Sequence, residues 1–516
     1  MEGTFYSLIP AIVMLILVLL TRKVILSLGI GIIIGALFIH DFNILGSIQE
    51  IWKSFYEIFI SDGALNVGNL LLLGFLLLLG MMIAFLQASG GSRAFGEWML
   101  SRVKTRKGAT LVSALLGIII FIDDYFNALA VGQIARPITD QYKISRVKLA
   151  YIVDSTSAPV TVISPISSWG AYIIGILGGI FATNGLTDIQ PLQAFIQMIP
   201  LNYYAIVATL LVFLVAFLKM DIGPMRIHEE RAIRTGELIG PKKGNVAGDL
   251  SGVFEPHPEG KVRHLIFPIL VLIFVTVISM FLTGINNSEG NVNIFSIFAN
   301  TDVNLSLFVG GLAAVLTSLL FHLNQNAPKA SLGKLLTEGI KTMLPAIYIL
   351  IFAWMIGSII GTLKTGEYLA HIFDNLQVNH ALLPFLFFII AGFMALATGS
   401  SWGTFGIMLP IAAEVAIVTD MSVLLPSLAA VLAGAVFGDH CTPISDTTIL
   451  SSTGAGANHI DHVLTQLPYA LIAAGVAMVG YLIVGFTNQV LLSFVLSIIL
   501  LLVISFGINY FHKKNA

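Results

Sequence analysis

The run Phe437-Gly-Asp-His-Cys-Thr-Pro-Ile-Ser-Asp-Thr-Thr448 places two carboxylates, a histidine and a proline within an apolar part of the chain, and it follows Gly399-Ser-Ser-Trp-Gly403. The first half of the chain shows the same order, with Phe121-Ile-Asp-Asp-Tyr-Phe-Asn127 before Val153-Asp-Ser-Thr-Ser-Ala-Pro159. An ionisable residue at mid-bilayer costs about 2.5–3.5 kcal/mol on insertion scales, so such residues mark functional sites by default. Two matched sets predict a transporter of two repeats with its site between them.

Composition identifies an integral membrane protein. Hydrophobic residues make up 57% of the 516 residues and charged residues 10%, whereas a soluble domain has about 25% charged residues. The lipid bilayer is therefore the expected surroundings, and a net charge of −2 gives no reason to expect a nucleic-acid partner. Cys441 is the only cysteine, which excludes a disulfide within the chain. The sequence has no G-x-x-x-x-G-K-[ST] motif, so we expect neither an ATP-driven pump nor an enzyme.

Eleven apolar runs are predicted to cross the membrane, which takes about 20 helical residues. They lie near 5–20, 24–40, 68–90, 149–182, 193–218, 264–284, 304–323, 341–363, 425–453, 463–486 and 489–511. Two further apolar stretches, about 108–138 and 382–415, are interrupted halfway by polar and small residues. We predict that each of these two stretches is a hairpin rather than a crossing.

Basic residues predict sidedness, because short cytoplasmic loops carry an excess of Lys and Arg. They cluster at Arg22-Lys23, Arg102–Lys107, Lys143–Lys148, the 219–263 loop, Lys329–Lys341 and Lys513-Lys514. When the predicted crossings are counted between these cytoplasmic clusters, the stretch 108–138 must enter and leave on the cytoplasmic side. Its first arm, from Ala109 to Ile122, has about 14 residues and measures ~21 Å, too short to cross. The flanks of 382–415 contain no Lys or Arg, so this hairpin is predicted to enter from the outside.

The predicted fold class is an all-α polytopic membrane protein of two inverted-topology repeats. Each repeat has five spans, one re-entrant hairpin and a helix broken at mid-membrane. The predicted segments are a first repeat at 1–218 with its broken helix at about 149–182, a linker loop at 219–263, a second repeat at 264–486 with its broken helix at about 425–453, and a C-terminal span and tail at 487–516. The loop and the C-terminus are predicted to be cytoplasmic. The alternative interpretation of the loop is a solvated segment with no role in transport.

Around these motifs the chain resembles the NhaC-type sodium/proton antiporter family of the ion-transporter superfamily. The resemblance is densest at 121–170 and 395–465, and its most specific part is Gly438–Thr448, followed by Ser451-Ser-Thr-Gly-Ala-Gly456 and Asn458-His-Ile-Asp-His462. It implies a secondary transporter of the bacterial plasma membrane, with a fold that pairs two hairpins with two broken helices. The family also includes exchangers of organic acids, such as malate for lactate, coupled to sodium and protons.

Asp154 is the first candidate ion ligand. Ser155, Thr156 and Ser157 follow it directly, and Pro159 is expected to break the helix in its preceding turn because it lacks a backbone N–H. A carboxylate, three hydroxyls and freed carbonyls are oxygen ligands of the kind that hard cations bind. The alternative is an aspartate paired for packing, but the apolar segments offer it no Lys or Arg.

The second broken helix supplies another candidate set around its proline, namely Asp439, His440, Thr442, Ser445, Asp446 and Thr447. Asp439 and Asp446 flank Pro443, so both carboxylates can face one cavity. His440 titrates near neutrality and can relay protons, although a structural histidine is an equal alternative. Zinc is not expected, because His440 and Cys441 have no second ligand pair at metal-binding spacing.

The hairpin tips carry the remaining candidates, which are Asp123, Asp124 and Asn127 in the first tip and Thr398, Ser400 and Ser401 in the second. Two adjacent buried carboxylates repel each other, and a bound cation relieves that repulsion. In the alternative interpretation, one of the two aspartates caps the following helix. The hydroxyls of the second tip also suit close helix packing. Arg136 and Glu414, near the hairpin ends, are interpreted as structural residues at interface depth.

Together these residues predict exchange of Na⁺ for H⁺ by alternating access, with Asp154, Asp439 and Asp446 as the Na⁺ ligands and H⁺ carriers. No cofactor is expected. The first alternative is Na⁺/H⁺-coupled exchange of a small organic anion such as malate or lactate, against which we count the absence of a buried Lys or Arg. The second alternative is a passive channel, which the matched repeats disfavour. The sequence leaves the oligomeric state open and is compatible with a homo-oligomer.

Overall fold

The protein is almost entirely helical. The structure is a computed structural model that describes residues 1–21, 23–61, 63–121, 123–165, 167–186, 189–240, 250, 253–288, 292–326, 330–365, 368 and 379–514. The helices are α1 (Ile9–Thr21), α2 (Val24–Ile39), α3 (Ile44–Phe59), α4 (Val67–Ala88), α5 (Gly91–Arg102), α6 (Arg106–Ile119), α7 (Asp124–Gln141), α8 (Arg146–Val162), α9 (Ser168–Thr183), α10 (Pro191–Met198), α11 (Tyr203–Leu218), α12 (Pro224–Thr235), α13 (Arg263–Asn287), α14 (Ile294–Ala299), α15 (Val303–Leu323), α16 (Leu332–Thr362), α17 (Leu383–Thr398), α18 (Ser401–Thr419), α19 (Leu424–Cys441), α20 (Asp446–Ala455), α21 (His459–Thr487) and α22 (Val490–Lys514). Short 3₁₀ turns occur at Phe5–Leu8, Ile199–Leu201, His380–Leu382 and Met421–Val423, and two-residue strands pair Ile60–Ser61 with Ala64–Leu65.

Nine helices in the described part of the chain are long and apolar enough to cross a membrane, and the count reaches ten if α10 and α11, bent by 49°, form one crossing. Two of the nine, α17 and α18, are the arms of the stretch 382–415, which the sequence predicted not to cross, so fewer than the eleven predicted crossings are found. Of the predicted span 149–182, neither α8 nor α9 is among the nine. The predicted spans near 5–20 and 24–40 contain helices of only 13 and 16 residues, whereas a full crossing takes about 20. Many large apolar side chains point outward, such as Val418 at 83% exposure and Leu491 at 76%. The protein is therefore a multi-pass membrane protein whose apolar outer surface faces lipid.

The structure has helix breaks at three of the four predicted interruptions, and their re-entrant topology stays a prediction. The α6–α7 pair breaks after Ile119, and Asp123 begins the next helix as its N-cap. The α17–α18 pair breaks at Gly399, whose φ of +72° is a left-handed conformation that favours glycine. The α19–α20 pair breaks around Pro443, and the Ser445 side chain accepts a hydrogen bond from the Thr448 backbone N–H. In each case a capping side chain satisfies a backbone donor that the broken helix leaves free.

The fourth predicted break lies at a different proline. The sequence predicted a break in the turn before Pro159, but α8 continues through that residue to Val162. Proline is tolerated inside membrane helices where neighbouring helices and hydroxyl side chains accommodate the freed backbone groups. The break follows Val162 instead, next to Pro165, since a residue before proline disfavours the helical conformation. Ser167 then caps α9 by accepting a hydrogen bond from Gly170 N. Asp154 therefore lies on intact helix.

The predicted linker loop contains a helix, α12, that packs against the membrane part. Its Glu229 is only 1% exposed and accepts hydrogen bonds from Arg106, from Lys148 Nζ at 3.1 Å and from Ser145 N at 2.7 Å. The interpretation of this segment as merely solvated is therefore wrong for α12. Residues 241–249 and 251–252 of the loop lie outside the described residues, as do Arg22, Ile122, Lys329 and most of the 373–381 flank.

The two predicted halves interlock at the broken helices. Helices α7 and α8 of the first half both pack against α20 of the second half, and α8 also packs against α21. Helix α19 lies mainly against α17 and α18 of the second hairpin. This arrangement brings the acidic residues of both halves into one buried region.

Candidate functional site

Asp154 lies at the centre of this region, and its side chain is fully buried. Its Oδ1 accepts a hydrogen bond from Ser451 Oγ at 3.0 Å. Its Oδ2 accepts hydrogen bonds from Thr448 Oγ1 at 3.3 Å and Gln466 Nε2 at 2.5 Å. His462 Nε2 lies 3.3 Å from the same oxygen. We call these five residues the Asp154 pocket.

Helix periodicity explains how the four partners converge. Thr448 and Ser451 are three residues apart on α20, and His462 and Gln466 are four residues apart on α21. Residues at these spacings share one face of a helix. Sequence reasoning missed these partners as site residues. The signal that could have found them is the polar pair His462 and Gln466, at helical spacing at the start of the otherwise apolar span 463–486.

The second broken helix places its candidates beside this pocket. Asp439 Oδ2 accepts a hydrogen bond from Thr447 Oγ1 at 2.7 Å, and Thr447 Oγ1 also lies 2.8 Å from Ser445 Oγ. Asp439 is close enough to interact electrostatically with both Asp446 and Asp154. Thr442 Oγ1 is buried and has no hydrogen-bond partner within the described ranges. Asp439, Asp446 and the pocket thus belong to one acidic cluster.

His440 contacts this cluster through its backbone. Its carbonyl oxygen accepts a hydrogen bond from Gln466 Nε2 at 3.1 Å, and its Nδ1 lies 3.0 Å from Tyr204 OH. Its Nε2 is buried without a hydrogen-bond partner in the part of the chain that the structure describes. A second histidine, His459, supports the break, since its Nε2 lies 2.7 Å from Pro443 O.

The first hairpin tip reaches the same cluster from the other half. Asp123 caps α7 by accepting from Phe126 N at 3.0 Å and also accepts from Ser168 Oγ at 2.8 Å, as the capping alternative described. Asp124 Oδ1 accepts from Trp169 Nε1 at 2.8 Å, while Oδ2 has no hydrogen-bond partner among the described residues.

Tyr125 continues the contact between the halves by donating a hydrogen bond to Asp446 Oδ2. Asn127 Nδ2 lies 2.6 Å from the backbone oxygens of both Gly117 and Ile120, so it joins the two arms of the hairpin.

Two of the three predicted hydroxyls near Asp154 bond to backbone oxygens instead. Thr156 Oγ1 donates to Ile152 O at 2.7 Å, within its own helix, and Ser157 Oγ donates to Asp124 O at 2.8 Å. Ser155 is 3% exposed. In an intact helix, Ser155 and Thr156 point to other faces than Asp154, and Ser157, which shares its face, is bonded to Asp124 O. The hydroxyls at the aspartate therefore come from α20.

The second hairpin tip lies apart from the Asp154 pocket. Thr398 Oγ1 donates within its helix to Met394 O, Ser400 caps α18, and Ser401 Oγ donates to Ala435 O at 3.3 Å. The tip contacts the first half through aromatic rings: Trp402 lies edge-on to Trp169, and the ring centroids are 5.9 Å apart. Since Trp169 donates to Asp124, the two tips are linked through that ring.

Buried basic residues are present, contrary to the sequence interpretation. Arg136, Arg146 and Lys148 are between 4% and 5% exposed. Arg146 binds Asp140 through two hydrogen bonds of 2.5 and 2.7 Å. They lie toward the linker side of α7 and α8 rather than at Asp154. Arg136 also lines a cavity of about 210 Å³, and its position at interface depth stays a prediction.

The acidic cluster can offer oxygen ligands rather than a set of metal-chelating side chains. Within the described ranges, no group of three His, Cys, Asp or Glu side chains could hold a metal ion together. A cation at Asp154 would therefore use hydroxyl and amide oxygens beside the carboxylate. Thr448, Ser451 and Gln466 supply them, and Gln466 Oε1 has no hydrogen-bond partner among the residues described.

Apolar helices that are interrupted halfway, with buried carboxylates at the interruptions, define a secondary transporter. The family model described as "Na+/H+ antiporter family" matches residues 160–486. The match spans more than half of the sequence, and the chain therefore belongs to the Na⁺/H⁺ antiporter family. The matched region begins six residues after Asp154.

Three relatives are similar to this chain, and two of them are named as antiporters. Over 513 residues, or 98% of this chain and 96% of the relative, the protein is 46% identical to an "Uncharacterized protein" of Haemophilus influenzae. It is 31% identical over 195 residues to the "Malate-2H(+)/Na(+)-lactate antiporter" of Bacillus subtilis, covering 37% and 40% of the two chains. It is 36% identical over 162 residues to an "Uncharacterized Na(+)/H(+) antiporter" of H. influenzae, covering 30% and 33%. The protein is a transporter and not an enzyme.

Proposed function

We propose that the protein exchanges Na⁺ for H⁺ at Asp154 by alternating access. The observation that carries this proposal is a fully buried carboxylate whose hydrogen bonds come from hydroxyls, an amide and an imidazole, with no Lys or Arg among its partners in the described residues. A buried carboxylate must be neutralised by a proton or a cation. His462 is the one basic side chain among these partners, and it is charged only when protonated. Without a permanently charged Lys or Arg partner, Asp154 can alternate between a proton and a cation.

The same partners can serve both states. Hydroxyl groups donate and accept hydrogen bonds, so Thr448 and Ser451 can turn their lone pairs toward a cation. Gln466 can rotate its amide so that Oε1 replaces Nε2. The carboxylate and these three oxygens then form a hard-oxygen site of the kind that Na⁺ needs. Protonated Asp154 no longer attracts a cation, which produces competition between Na⁺ and H⁺.

The remaining carboxylates are proposed to adjust this competition. Asp439 interacts electrostatically with Asp154 and Asp446, and Asp446 is in turn close to Asp123. A charge change on one member therefore alters the affinity of the others. His462, beside Asp154, and His440 are proposed to pass protons to and from the cluster.

An inverted-repeat arrangement is supported by the positions of the hairpin bases. Arg106, at the start of the first hairpin, binds Glu229 of the linker. Glu414 of the second hairpin lines a cavity with Asn184, which follows the far end of α9. We therefore propose the repeats 1–218 and 264–486, with hairpins entering from opposite sides. By the distribution of Lys and Arg, the linker and the C-terminus face the cytoplasm of a bacterial cell, across its plasma membrane.

A second candidate, exchange of a small organic anion coupled to Na⁺ and H⁺, is favoured by one observation. The cavity of about 210 Å³ near the linker side is lined by Arg93, Arg136, Gln87 and Gln133. Guanidinium and amide groups suit a carboxylate ligand. The relative from B. subtilis is named for malate and lactate.

Everted membrane vesicles distinguish the two candidates. Respiration acidifies their interior, and added Na⁺ should dissipate the pH difference in the absence of any organic solute if the protein exchanges Na⁺ for H⁺. Asp154→Asn should remove this response. Asp420→Asn, at the partly exposed N-cap of the Met421–Val423 turn, is the matched control and should keep the response, because asparagine also caps a helix. A response that requires malate or lactate in addition to Na⁺ would favour the organic-anion exchanger.

A further inference from the structure

Two stacked tyrosines form one wall of the Asp154 pocket. The rings of Tyr151 and Tyr469 have centroids 4.5 Å apart and an interplanar angle of 27°, and each residue is 1% exposed. Tyr151 precedes Asp154 by three residues on α8, and Tyr469 follows Gln466 by three residues on α21. Such a spacing corresponds to ~4.5 Å along each helix axis. The stack therefore lies one step from the hydrogen bond between Asp154 and Gln466.

This wall closes the side of the pocket that faces the linker. Lys148 lies three residues further toward the N-terminus of α8, and its Nζ donates to Asp221 Oδ1 at 2.6 Å and to Glu229 Oε2 at 3.1 Å. Asp221 and Glu229 belong to the linker. Along α8, the order is thus the charged linker contact, then the stacked rings, then Asp154. The rings lie between the pocket and that side.

Backbone atoms of the linker hold one of the rings. Tyr469 OH donates to Met220 O at 3.0 Å and accepts from Ile222 N at 2.9 Å. Asp221, between those two residues, binds Lys148 on α8. The segment 220–222 therefore fastens α21 and α8 together at the level of the stack.

The other ring carries a hydroxyl that the closed stack does not need. Tyr151 OH is buried and has no hydrogen-bond partner in the described part of the chain. A buried tyrosine usually satisfies its hydroxyl, and phenylalanine would stack equally well. The hydroxyl therefore indicates a second arrangement, in which it faces water or a passing ion.

We propose that the Tyr151–Tyr469 stack is the linker-side gate of the Asp154 pocket, and that segment 220–222 holds this gate closed through Tyr469 OH. The identity of the ion that passes rests on the proposed function. Opening separates the rings and breaks both hydrogen bonds of Tyr469 OH. The linker thereby takes part in alternating access.

Thiol labelling tests the gate without relying on transport. In a Cys441→Ala background, Ser451→Cys places one reporter at the buried pocket. A membrane-impermeant methanethiosulfonate reagent is applied to everted vesicles, which expose the linker side, and to right-side-out vesicles. Tyr151→Ala should raise the labelling rate from the linker side about tenfold or more, whereas Tyr151→Phe, which keeps the ring, should leave it near the reference.

A second variant tests the fastening. Tyr469→Phe keeps the stack but removes both hydrogen bonds to segment 220–222, so labelling from the linker side should rise by roughly the tenfold that two modest hydrogen bonds represent. It also keeps the proposal testable if Tyr151→Ala does not insert. Unchanged labelling in every inserted variant overturns the gate, and so does an equal rise from both sides. If the variants open the pocket but the parent gives no Na⁺ response in everted vesicles, the gate stands and the proposed ion is wrong.

Discussion

Ser451 Oγ donates a 3.0 Å hydrogen bond to Asp154 Oδ1, although 297 residues separate the two along the chain. Asp154 lies on α8, in the first half, and Ser451 on α20, in the second. Any rearrangement of the two halves relative to each other changes this contact. The proposed ion site lies between the two halves, so a movement of one half against the other during alternating access changes the distances between its ligands.

Asp154→Asn is expected to abolish Na⁺/H⁺ exchange while the protein still inserts into the membrane. Asparagine has a similar volume and can still hydrogen-bond to Ser451, but it cannot take up a proton or carry a charge. Transport is measured in everted vesicles and insertion by immunoblot of washed membranes. Exchange at the parental rate over a range of pH would show that Asp154 is structural.

Gln466→Leu is expected to weaken the apparent Na⁺ affinity by about tenfold or more, because it removes a proposed oxygen ligand and a 2.5 Å hydrogen bond to Asp154. The half-saturating Na⁺ concentration is measured at constant pH. Thr209→Val serves as the polar-to-apolar control, because the Thr209 hydroxyl lies on α11 and donates to Ala205 O within its own helix. Equal Na⁺ affinities in Gln466→Leu and the parent would show that Gln466 is not a Na⁺ ligand.

The apparent Na⁺ affinity of the parent should weaken as the pH falls, because a protonated carboxylate is a poor cation ligand. Asp439→Asn should strongly reduce this pH dependence or abolish transport, since Asp439 interacts electrostatically with Asp154. The measurement is a Na⁺ titration at several pH values. A parent affinity that stays constant from mildly acid to alkaline pH would exclude direct competition and favour a separate proton path through His440.

The two hairpins are expected to open toward opposite sides of the membrane. Lys104→Cys, before the first hairpin, and Ser422→Cys, after the second, are both exposed positions suited to labelling in a Cys441→Ala background. An impermeant thiol reagent should label Lys104→Cys in everted vesicles and Ser422→Cys in right-side-out vesicles. Labelling of both positions from the same side would contradict the inverted repeats.

Glu229→Gln is expected to lower stability by about 3 kcal/mol, the lower end for removal of one partner from a buried ion pair, because Asp221 still binds Lys148. Burial alone would raise the pKa of Glu229, but Lys148, Arg106 and the Ser145 N–H outweigh it and lower the pKa. The stabilisation is therefore fully present at neutral pH and is lost only as the pH falls below the ordinary glutamate range, through the lowered pKa.

Melting of the purified protein in detergent checks this prediction. The difference between parent and Glu229→Gln should be constant around neutral pH and shrink in strong acid. Glu230→Gln, on the exposed side of the same helix with its Arg226 partner, is the matched control. A difference that already disappears at mildly acid pH would contradict the lowered pKa of Glu229.

Local chemistry made several features of the fold predictable. Some residues interrupt a helix through effects on their own backbone, which do not depend on how the helices pack. In this chain they are Gly399, Pro443 and the capping residues Asp123 and Ser445. The same holds for the membrane class, which follows from composition. The break near Pro165 shows the limit of this reasoning, because α8 continues through Pro159 and the packing around a membrane helix decides whether it tolerates a proline.

The sequence by itself determined that this is a helical membrane protein, where three of its helices break, and which carboxylates are buried beside those breaks. Only the tertiary structure decided which side chains meet them, as in the contacts of Asp154 with Ser451 and Gln466 and of Lys148 with Glu229. The physical reason is that helices apolar on all sides do not specify which face packs inward. Hydrogen bonds between distant residues therefore form only once the packing of the helices has fixed those faces.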